Sequence, residues 1–126
     1  MRQTPFELIG GEPGLRPLVD RFVDRVFADV MIGFLFRNAD KARVAAKELE
    51  LAARHLGADL PYTGRPLREA HAPHPITGGH FDRRKKILEE VLLEAGVPAV
   101  VRETWLDHVE RLRGTIVVEA GRCAQG

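Results

Sequence analysis

The chain has 126 residues, of which 44% are hydrophobic and 29% are charged, and its formal net charge at pH 7 is +1. This composition predicts one globular domain, which we expect over residues 1–120, followed by a frayed tail over 121–126. The near-zero charge gives no reason to expect nucleic acid as a partner, and no apolar run is long enough for a membrane span or a signal peptide. The single cysteine, Cys123, excludes an internal disulfide and favours a reducing, cytoplasmic compartment.

The first third of the chain predicts a very short helix, a long helix and a corner. A capping box, Thr4-Pro5-Phe6-Glu7, starts a helix that Gly10-Gly11 ends. Pro17 suits the first turn of the second helix, whose apolar residues recur at helical spacing and predict a core face. A dense apolar cluster beyond it predicts a short helical turn. The core face consists of Leu15, Leu18, Val19, Phe22, Val23, Val26 and Phe27, and the cluster of Ile32, Phe34, Leu35 and Phe36.

A third helix is predicted from Asn38 to Leu56, with Asn38 or Asp40 as its N-cap and Gly57 as the glycine just past its end. One face carries small apolar residues and predicts close packing against another helix. A second face has apolar ends and a charged middle, and the pattern alone favours plain solvation of the two charged side chains. The first face is Ala45, Leu49, Ala52 and Leu56, and the second is Val44, Lys47, Glu48 and Leu51.

The stretch from Leu67 to Phe81 carries the main functional candidate. Pro66 is predicted to start a short helix that bears His71 near its end, and Pro73 and Pro75 stop that helix. A histidine at a helix end, between longer amphipathic helices, is well placed to bind a metal or cofactor through a neutral ring nitrogen. The alternative is a helix-capping or surface histidine.

The last third of the chain predicts two more helices. Thr77 can cap the first, which runs to about Ala95 and contains the basic run Arg83-Arg84-Lys85-Lys86. Such a run usually marks a solvated face, but four consecutive residues surround a helix, so at least one must lie near the buried side. Gly96-Val97-Pro98 breaks the chain before a final helix with Val101, Trp105, Val109, Leu112 and Ile116 at helical spacing. No segment alternates as a strand, so the predicted class is all-α.

Several familiar chemistries lack their motifs, because the chain has no glycine-rich phosphate loop, no HExxH pair and no GxSxG elbow. His71 and His74 are three residues apart, but the proline between them argues against a shared metal on a helix. We expect His80 to be exposed, and His55 and His108 lie on separate helices with no matching carboxylate pattern. A lone helix-end histidine that faces apolar helices is what an axial haem ligand requires.

From about Phe6 to Val117 the order and spacing of these features resemble a truncated (two-over-two) haemoglobin, closest to group I. The resemblance implies an all-α, small globin-like sandwich of two helices over two that encloses haem b. It rests on Gly10-Gly11, Leu18-Val19-Asp20-Arg21-Phe22, Ala28-Asp29, Leu56-Gly57, Pro61-Tyr62-Thr63-Gly64, Ala70-His71, Ile76-Thr77, His80-Phe81-Asp82 and Ala95-Gly96-Val97-Pro98.

The resemblance also assigns residues to the cofactor. His71 matches the proximal ligand, whose neutral ring nitrogen binds iron, Phe36 matches the phenylalanine on the haem face, and Arg68 is suited to pair with a propionate. The full set implied to contact haem is Phe36, Val44, Lys47, Leu51, Tyr62, Leu67, Arg68, His71, Ile76 and Phe81.

The distal ligand pocket departs from the family pattern. It is implied to comprise Phe22, Val23, Val44 and Glu48, with Val23 where relatives commonly carry an oxygen-binding tyrosine and Glu48 where they often carry glutamine. Lys47 falls where some relatives place a side chain that binds the iron itself or reaches a propionate. The usual oxygen-stabilising network is therefore missing, or is rebuilt from Lys47 and Glu48.

Three functions stay open at this point. The first is a haem protein that binds a diatomic gas, namely oxygen, nitric oxide or carbon monoxide, and serves oxygen binding or transport. The second is a six-coordinate haem redox protein that works with a redox partner on nitric oxide or peroxide, as a dioxygenase or a peroxidase-like enzyme. The third is a helical interaction module without haem. We expect a monomer or a weak homodimer, with no nucleic-acid or membrane partner.

Overall fold

The computed structural model describes residues 3–58 and 76–117, and this part of the chain is almost entirely helical. The predictions for Tyr62, Leu67, Arg68 and His71, and for the tail over 121–126, concern residues outside the described part of the chain. In chain order the helices are α1 (Pro5–Leu8), α2 (Gly11–Ala28), a 3-10 helix (Gly33–Phe36), α3 (Lys41–His55), α4 (Gly78–Glu94), α5 (Ala99–Arg111) and α6 (Arg113–Ile116).

The first helix, α1, has the predicted capping box. The backbone N–H of Glu7 donates to Oγ1 of Thr4 at 3.1 Å, and the backbone N–H of Thr4 donates to Oε1 of Glu7 at 3.3 Å. These two bonds satisfy groups that so short a helix cannot pair within itself.

The prediction that α2 begins near Pro17 was wrong. The helix begins at Gly11, and Pro17 lies inside it. Leu15 and Leu18, on either side of the proline, are both buried. Their burial offsets the cost of a proline, which removes one intrahelical hydrogen bond and crowds the preceding turn.

The corner after α2 forms the predicted short helical turn, as a 3-10 helix. Asp29 organises it, because its carboxylate accepts the backbone N–H groups of Met31 and Ile32 at 3.0 and 3.1 Å. The same carboxylate accepts two N–H groups of Arg83, the shorter at 2.7 Å, so the corner is tied to α4. The bond from Arg83 is the main reason that the pKa of Asp29 lies below its usual value.

Caps place the next two helices close to where the sequence predicts them. Asp40, rather than Asn38, caps α3 by accepting the backbone N–H of Arg43 at 3.2 Å, and Gly57 past its end has a φ of +96°. Thr77 caps α4 as predicted, by accepting the backbone N–H of His80 at 3.1 Å.

The final helix was predicted as one element and is two. Leu112 separates α5 from α6, and after α6 the backbone of Val117 forms an isolated parallel bridge with Ile76. This return toward the start of α4 requires a turn that apolar spacing does not reveal, and Gly114 weakens helix continuity just beyond the break.

The helices stack as two pairs, in agreement with the predicted all-α two-over-two sandwich. Helix α2 packs on α3, α4 packs on α5, and the pairs meet through contacts of α2 with α4 and of α3 with α5. No helix within the described residues is long and apolar enough to cross a membrane. The buried core contains Leu15, Val19, Phe22, Ile32, Ala52, Leu56, Phe81, Leu88, Val91, Leu92, Val101 and Trp105, among others.

A close backbone approach between α1 and α2 requires glycine at position 14, and this generates a test. A Cβ added to Gly14 would lie 1.8 Å from the carbonyl oxygen of Ile9, which belongs to the backbone and cannot rotate away. We expect Gly14→Ala to lower the free energy of unfolding by about 2 kcal/mol or more, through overpacking. Urea denaturation followed by circular dichroism measures this.

The matched control is Gly78→Ala on α4. A Cβ at Gly78 would meet no described atom within 4 Å, so we expect a change within about 1 kcal/mol. Equal midpoints for the Gly14 variant and the wild type would contradict the packing described between α1 and α2.

Candidate functional site

A cavity of about 630 Å³ lies between the two helix pairs, and it is the main candidate site of the described structure. This volume is typical of pockets that hold a small molecule or a cofactor. The cavity is lined by Val19, Phe22, Ile32, Phe34, Leu35, Phe36, Arg37, Asn38, Ala39, Val44, Glu48, Leu51, Ala52, His55, Ile76, His80, Phe81, Arg84, Leu88, Trp105, Val109, Leu112 and Ile116.

Most of that lining is aliphatic or aromatic, and it comes from every layer of the fold. Phe36 enters from the corner, where its ring stacks on Phe27 with centroids 5.0 Å apart. Phe81 and Trp105 enter from α4 and α5 and are buried. A wide apolar slot walled by aromatic rings suits a large flat organic group better than a polar metabolite.

Five of the ten side chains that the resemblance assigns to the cofactor line this cavity. They are Phe36, Val44, Leu51, Ile76 and Phe81. Tyr62, Leu67, Arg68 and His71 lie outside the described residues, so the structure does not place them.

Lys47, the remaining assigned residue, lies beside the cavity on α3. Its Nζ is 3.7 Å from Oε2 of Glu50, and the two side chains are 30% and 27% exposed. Val44 and Leu51, one turn before and after it, do line the cavity. In the described structure the amine therefore makes a partly exposed ion pair at the edge of the site, a type of contact that contributes little stability.

A second, much smaller cavity of about 10 Å³ adjoins the first. That volume is about what one water-sized molecule needs. Its lining brings together all four residues assigned to the distal pocket. The lining residues are Phe22, Val23, Val26, Phe27, Phe36, Val44, Glu48 and Arg84, of which Phe22, Phe36, Val44, Glu48 and Arg84 also line the large cavity.

Arg84 is a charged residue that lines both cavities and that sequence reasoning did not assign to the site. Its Nη2 donates to Oε1 of Glu48 at 2.7 Å, and its guanidinium carbon lies 4.9 Å from the centroid of the Phe22 ring. Glu48 was interpreted as solvated from its pattern, but in the structure it accepts this charged bond and is only partly exposed. An ion pair between α3 and α4 thus forms part of both cavity walls.

The signal that pointed to Arg84 was the basic run on α4. At least one of its four members was predicted to lie near the buried side, and Arg84, which is partly buried, lines the large cavity. Every member of the run pairs with a carboxylate, three of them on other elements and the fourth, Glu89, on α4 itself. The pairs are Arg83–Asp29 at 2.7 Å, Arg84–Glu48 at 2.7 Å, Lys85–Glu110 at 2.9 Å and Lys86–Glu89 at 3.0 Å.

His55 and His108, which the sequence places on separate helices, meet in the fold. Their rings are 5.5 Å apart between centroids, and His55 lines the large cavity. Burial, with a smaller contribution from His108, lowers the pKa of His55 to about 4. His55 is therefore neutral at pH 7, and its buried Nε2 has no hydrogen-bond partner among the described residues.

The expectation that His80 is exposed was wrong. Its side chain is partly buried and lines the large cavity, and its Nδ1 accepts the backbone N–H of Thr77 at 3.2 Å. The ring meets Phe34 edge-on at 5.7 Å between centroids.

Comparison with known proteins finds the same fold and a clear sequence relationship. A family model described as bacterial-like globin matches residues 4–118. The "Group 1 truncated hemoglobin GlbN" of Mycolicibacterium paratuberculosis is 32% identical over 121 residues, which covers 96% of this chain and 84% of that protein. The protein of the same name from Synechocystis sp. is 34% identical over 99 residues, covering 75% and 80%.

Solved structures agree with the sequence relatives. The crystal structure of truncated hemoglobin from Tetrahymena pyriformis, in its Fe(III) form, superposes with a TM-score of 0.85 at 27% identity. The match covers 93% of this chain and 100% of that one.

The lowered pKa of His55 predicts how the stability of the apoprotein depends on pH. The unfolded chain binds a proton near the ordinary pKa of 6.5, whereas the folded chain does so only near 4. Between these values the unfolded state binds more protons, so this contribution to stability is complete above pH 6.5 and is lost as the pH falls to 4. We expect it to amount to about 1–2 kcal/mol, since the ring keeps some contact with solvent.

Urea unfolding of the apoprotein at pH 7 and pH 4.5 measures this loss. His55→Phe removes the titrating ring, so the variant should lose less stability than the wild type between the two pH values. Parallel losses in the two proteins would contradict a buried, neutral His55.

Proposed function

Because the chain belongs to the group 1 truncated haemoglobins, within the bacterial-like globin family, we propose that it binds haem b in the large cavity and binds a diatomic gas there. The candidate gases are oxygen, nitric oxide and carbon monoxide. The observation that carries the proposal is the cavity of about 630 Å³, walled by aromatic and aliphatic side chains from α2, the corner, α3, α4 and α5.

The residues present fit this cofactor. The macrocycle is flat and apolar, and the walls that would sandwich it include Phe36, Phe81 and Leu51. Haem, when bound, supplies an iron centre that binds small gases and exchanges single electrons. The apolar walls exclude bulk water from that centre, which protects a bound gas and favours reversible binding.

We assign the proximal ligand to His71 on the family resemblance. Leu51 and His55 on α3 line the large cavity, and so does Ile76, at which the described chain resumes. His71 belongs to the stretch of sequence between these walls. A neutral histidine ring is a normal haem ligand, and its ordinary pKa keeps it largely neutral at pH 7.

The geometry supports a gas-binding protein over a six-coordinate redox protein. Lys47 is the residue that the resemblance offers as a second iron ligand, and its Nζ lies within ion-pair distance of Glu50 beside the cavity. Lys47 is not among the described residues that line the large cavity, whereas a residue that binds the iron has to reach into it.

Replacing His71 tests the proximal assignment. We expect His71→Gly to abolish stable haem uptake, or to leave a weak Soret band that free imidazole restores, because the iron would lose its only protein ligand. Absorption spectra of the reconstituted protein, oxidised and reduced, measure this.

The matched control is His74→Gly, the neighbouring histidine, which should take up haem with a wild-type spectrum. A His71 variant that keeps the wild-type spectrum without imidazole would contradict the assignment.

Replacing Lys47 tests the coordination state. If the amine stays paired at the edge of the site, the oxidised wild-type protein is high-spin at neutral pH and follows the same spectral pH course as Lys47→Ala. A wild-type protein that turns low-spin as the pH rises, with Lys47→Ala remaining high-spin, would instead indicate that Lys47 binds the iron, as in the six-coordinate redox protein.

A further inference from the structure

We propose that Arg84 donates a hydrogen bond to a ligand held where the two cavities meet, and that it gives the site a preference for small inorganic anions, such as nitrite or azide. This inference rests on the proposed haem site, since it concerns a ligand at the point where the two cavities meet. It adds a specificity residue on α4, whereas the distal residues assigned through the resemblance lie on α2 and α3.

Arg84 lies where the two cavities meet. Arg84 lines both cavities, and so does its partner Glu48. The other shared side chains, Phe22, Phe36 and Val44, are apolar. Among the described residues, Arg84 is thus the one hydrogen-bond donor with a charged side chain that reaches the boundary between the two cavities.

Two contacts hold the guanidinium of Arg84 in place. Its guanidinium carbon lies 4.9 Å from the centroid of the Phe22 ring, and Nη2 bonds to Glu48 at 2.7 Å. A guanidinium has five N–H groups in a fixed fork, so one bond to Glu48 does not use up its donors. The ring and the carboxylate fix the plane of the group, which lowers the entropic cost of donating to a ligand.

The positive charge of Arg84 determines which ligands it favours. Val23, which also lines the small cavity, has no hydrogen to donate, and Lys47 lies beside the site in its pair with Glu50. A charged donor binds a charged acceptor about twice as strongly as a neutral one, and the effect grows in an apolar pocket. Arg84 therefore favours anions over neutral gases, and the carboxylate of Glu48 limits that preference.

The experiment compares azide and nitrite binding to the oxidised protein with carbon monoxide binding to the reduced protein. We expect Arg84→Leu to weaken binding of both anions by about 10- to 100-fold while changing carbon monoxide affinity by less than about 3-fold. The C–O stretching frequency of the carbon monoxide complex should rise in Arg84→Leu, because the positive charge near the ligand is lost.

Lys86→Leu is the matched control, since it removes one positive charge from the same helix. Lys86 is exposed and pairs with Glu89 on the surface, so its loss should leave anion affinity and the C–O frequency unchanged. Equal weakening in both variants would overturn the proposal in favour of a general charge effect.

Glu48→Gln tests the opposing charge. The amide keeps an oxygen that can accept the bond from Arg84 but removes the negative charge, so anion binding should tighten by about 3-fold or more. Unchanged or weaker binding in Glu48→Gln would overturn the assigned role of the pair.

Two results would overturn the role of Arg84 directly. One is unchanged anion affinity in Arg84→Leu with reduced stability only, which would make the pair structural. The other is faster haem loss with unchanged anion affinity, which would place the guanidinium on a propionate. If Arg84→Leu fails to fold, Arg84→Gln keeps a neutral donor and should show a smaller loss of anion affinity in the same direction.

Failure of the proposed function gives a different result. A wild-type protein that takes up no haem would refute the haem site itself, before any variant is compared.

Discussion

The apolar space between the two helix pairs is the constraint on which the rest of the structure depends. Protein interiors are close-packed, so a cavity of about 630 Å³ persists only where rigid elements hold its walls apart. Here the corner does this, because Asp29 binds its own following turn and also Arg83 on α4. The stacked rings of Phe27 and Phe36 then fix one end of the wall. A cofactor that fills the space adds the contacts that the walls cannot make with each other, so binding and stability are coupled.

Charge pairing determines what the walls present to a ligand. Adjacent like charges on one helix repel one another unless each finds a partner, and α4 pairs its four partly or fully exposed cations with four carboxylates. Three of these pairs serve the surface or the corner. The fourth, Arg84–Glu48, lies in the wall of both cavities and places a charged hydrogen-bond donor there.

Caps and apolar spacing predicted most of the fold, because both are local. Thr4, Asp40 and Thr77 begin helices as expected, and Trp105 is buried as its spacing predicts. The start of α2 was missed because Pro17 was assigned to the first turn, although Leu15 before it already belongs to the apolar pattern and is buried in the same helix.

The apolar lining of the large cavity could be predicted from apolar spacing and from the family resemblance. Its polar residues could not, because contacts between residues far apart in the sequence determine their positions. The pairing of Glu48 with Arg84 joins residues 36 positions apart, and the contact of His55 with His108 joins two helices. Neither contact is visible in a periodic pattern. The basic run indicated that at least one of its four side chains lies near the buried side, but it did not indicate that Arg84 lines the cavities.

Trp105 allows the central claim to be tested directly, since it is the single tryptophan of the chain and lines the large cavity. Titration of the apoprotein with hemin, followed by tryptophan fluorescence, reports occupation of that cavity. The account predicts nearly complete quenching that saturates at one hemin per chain, with a Soret band that grows in parallel. Fluorescence that is unchanged, or that declines without saturation, would contradict a haem site between the two helix pairs.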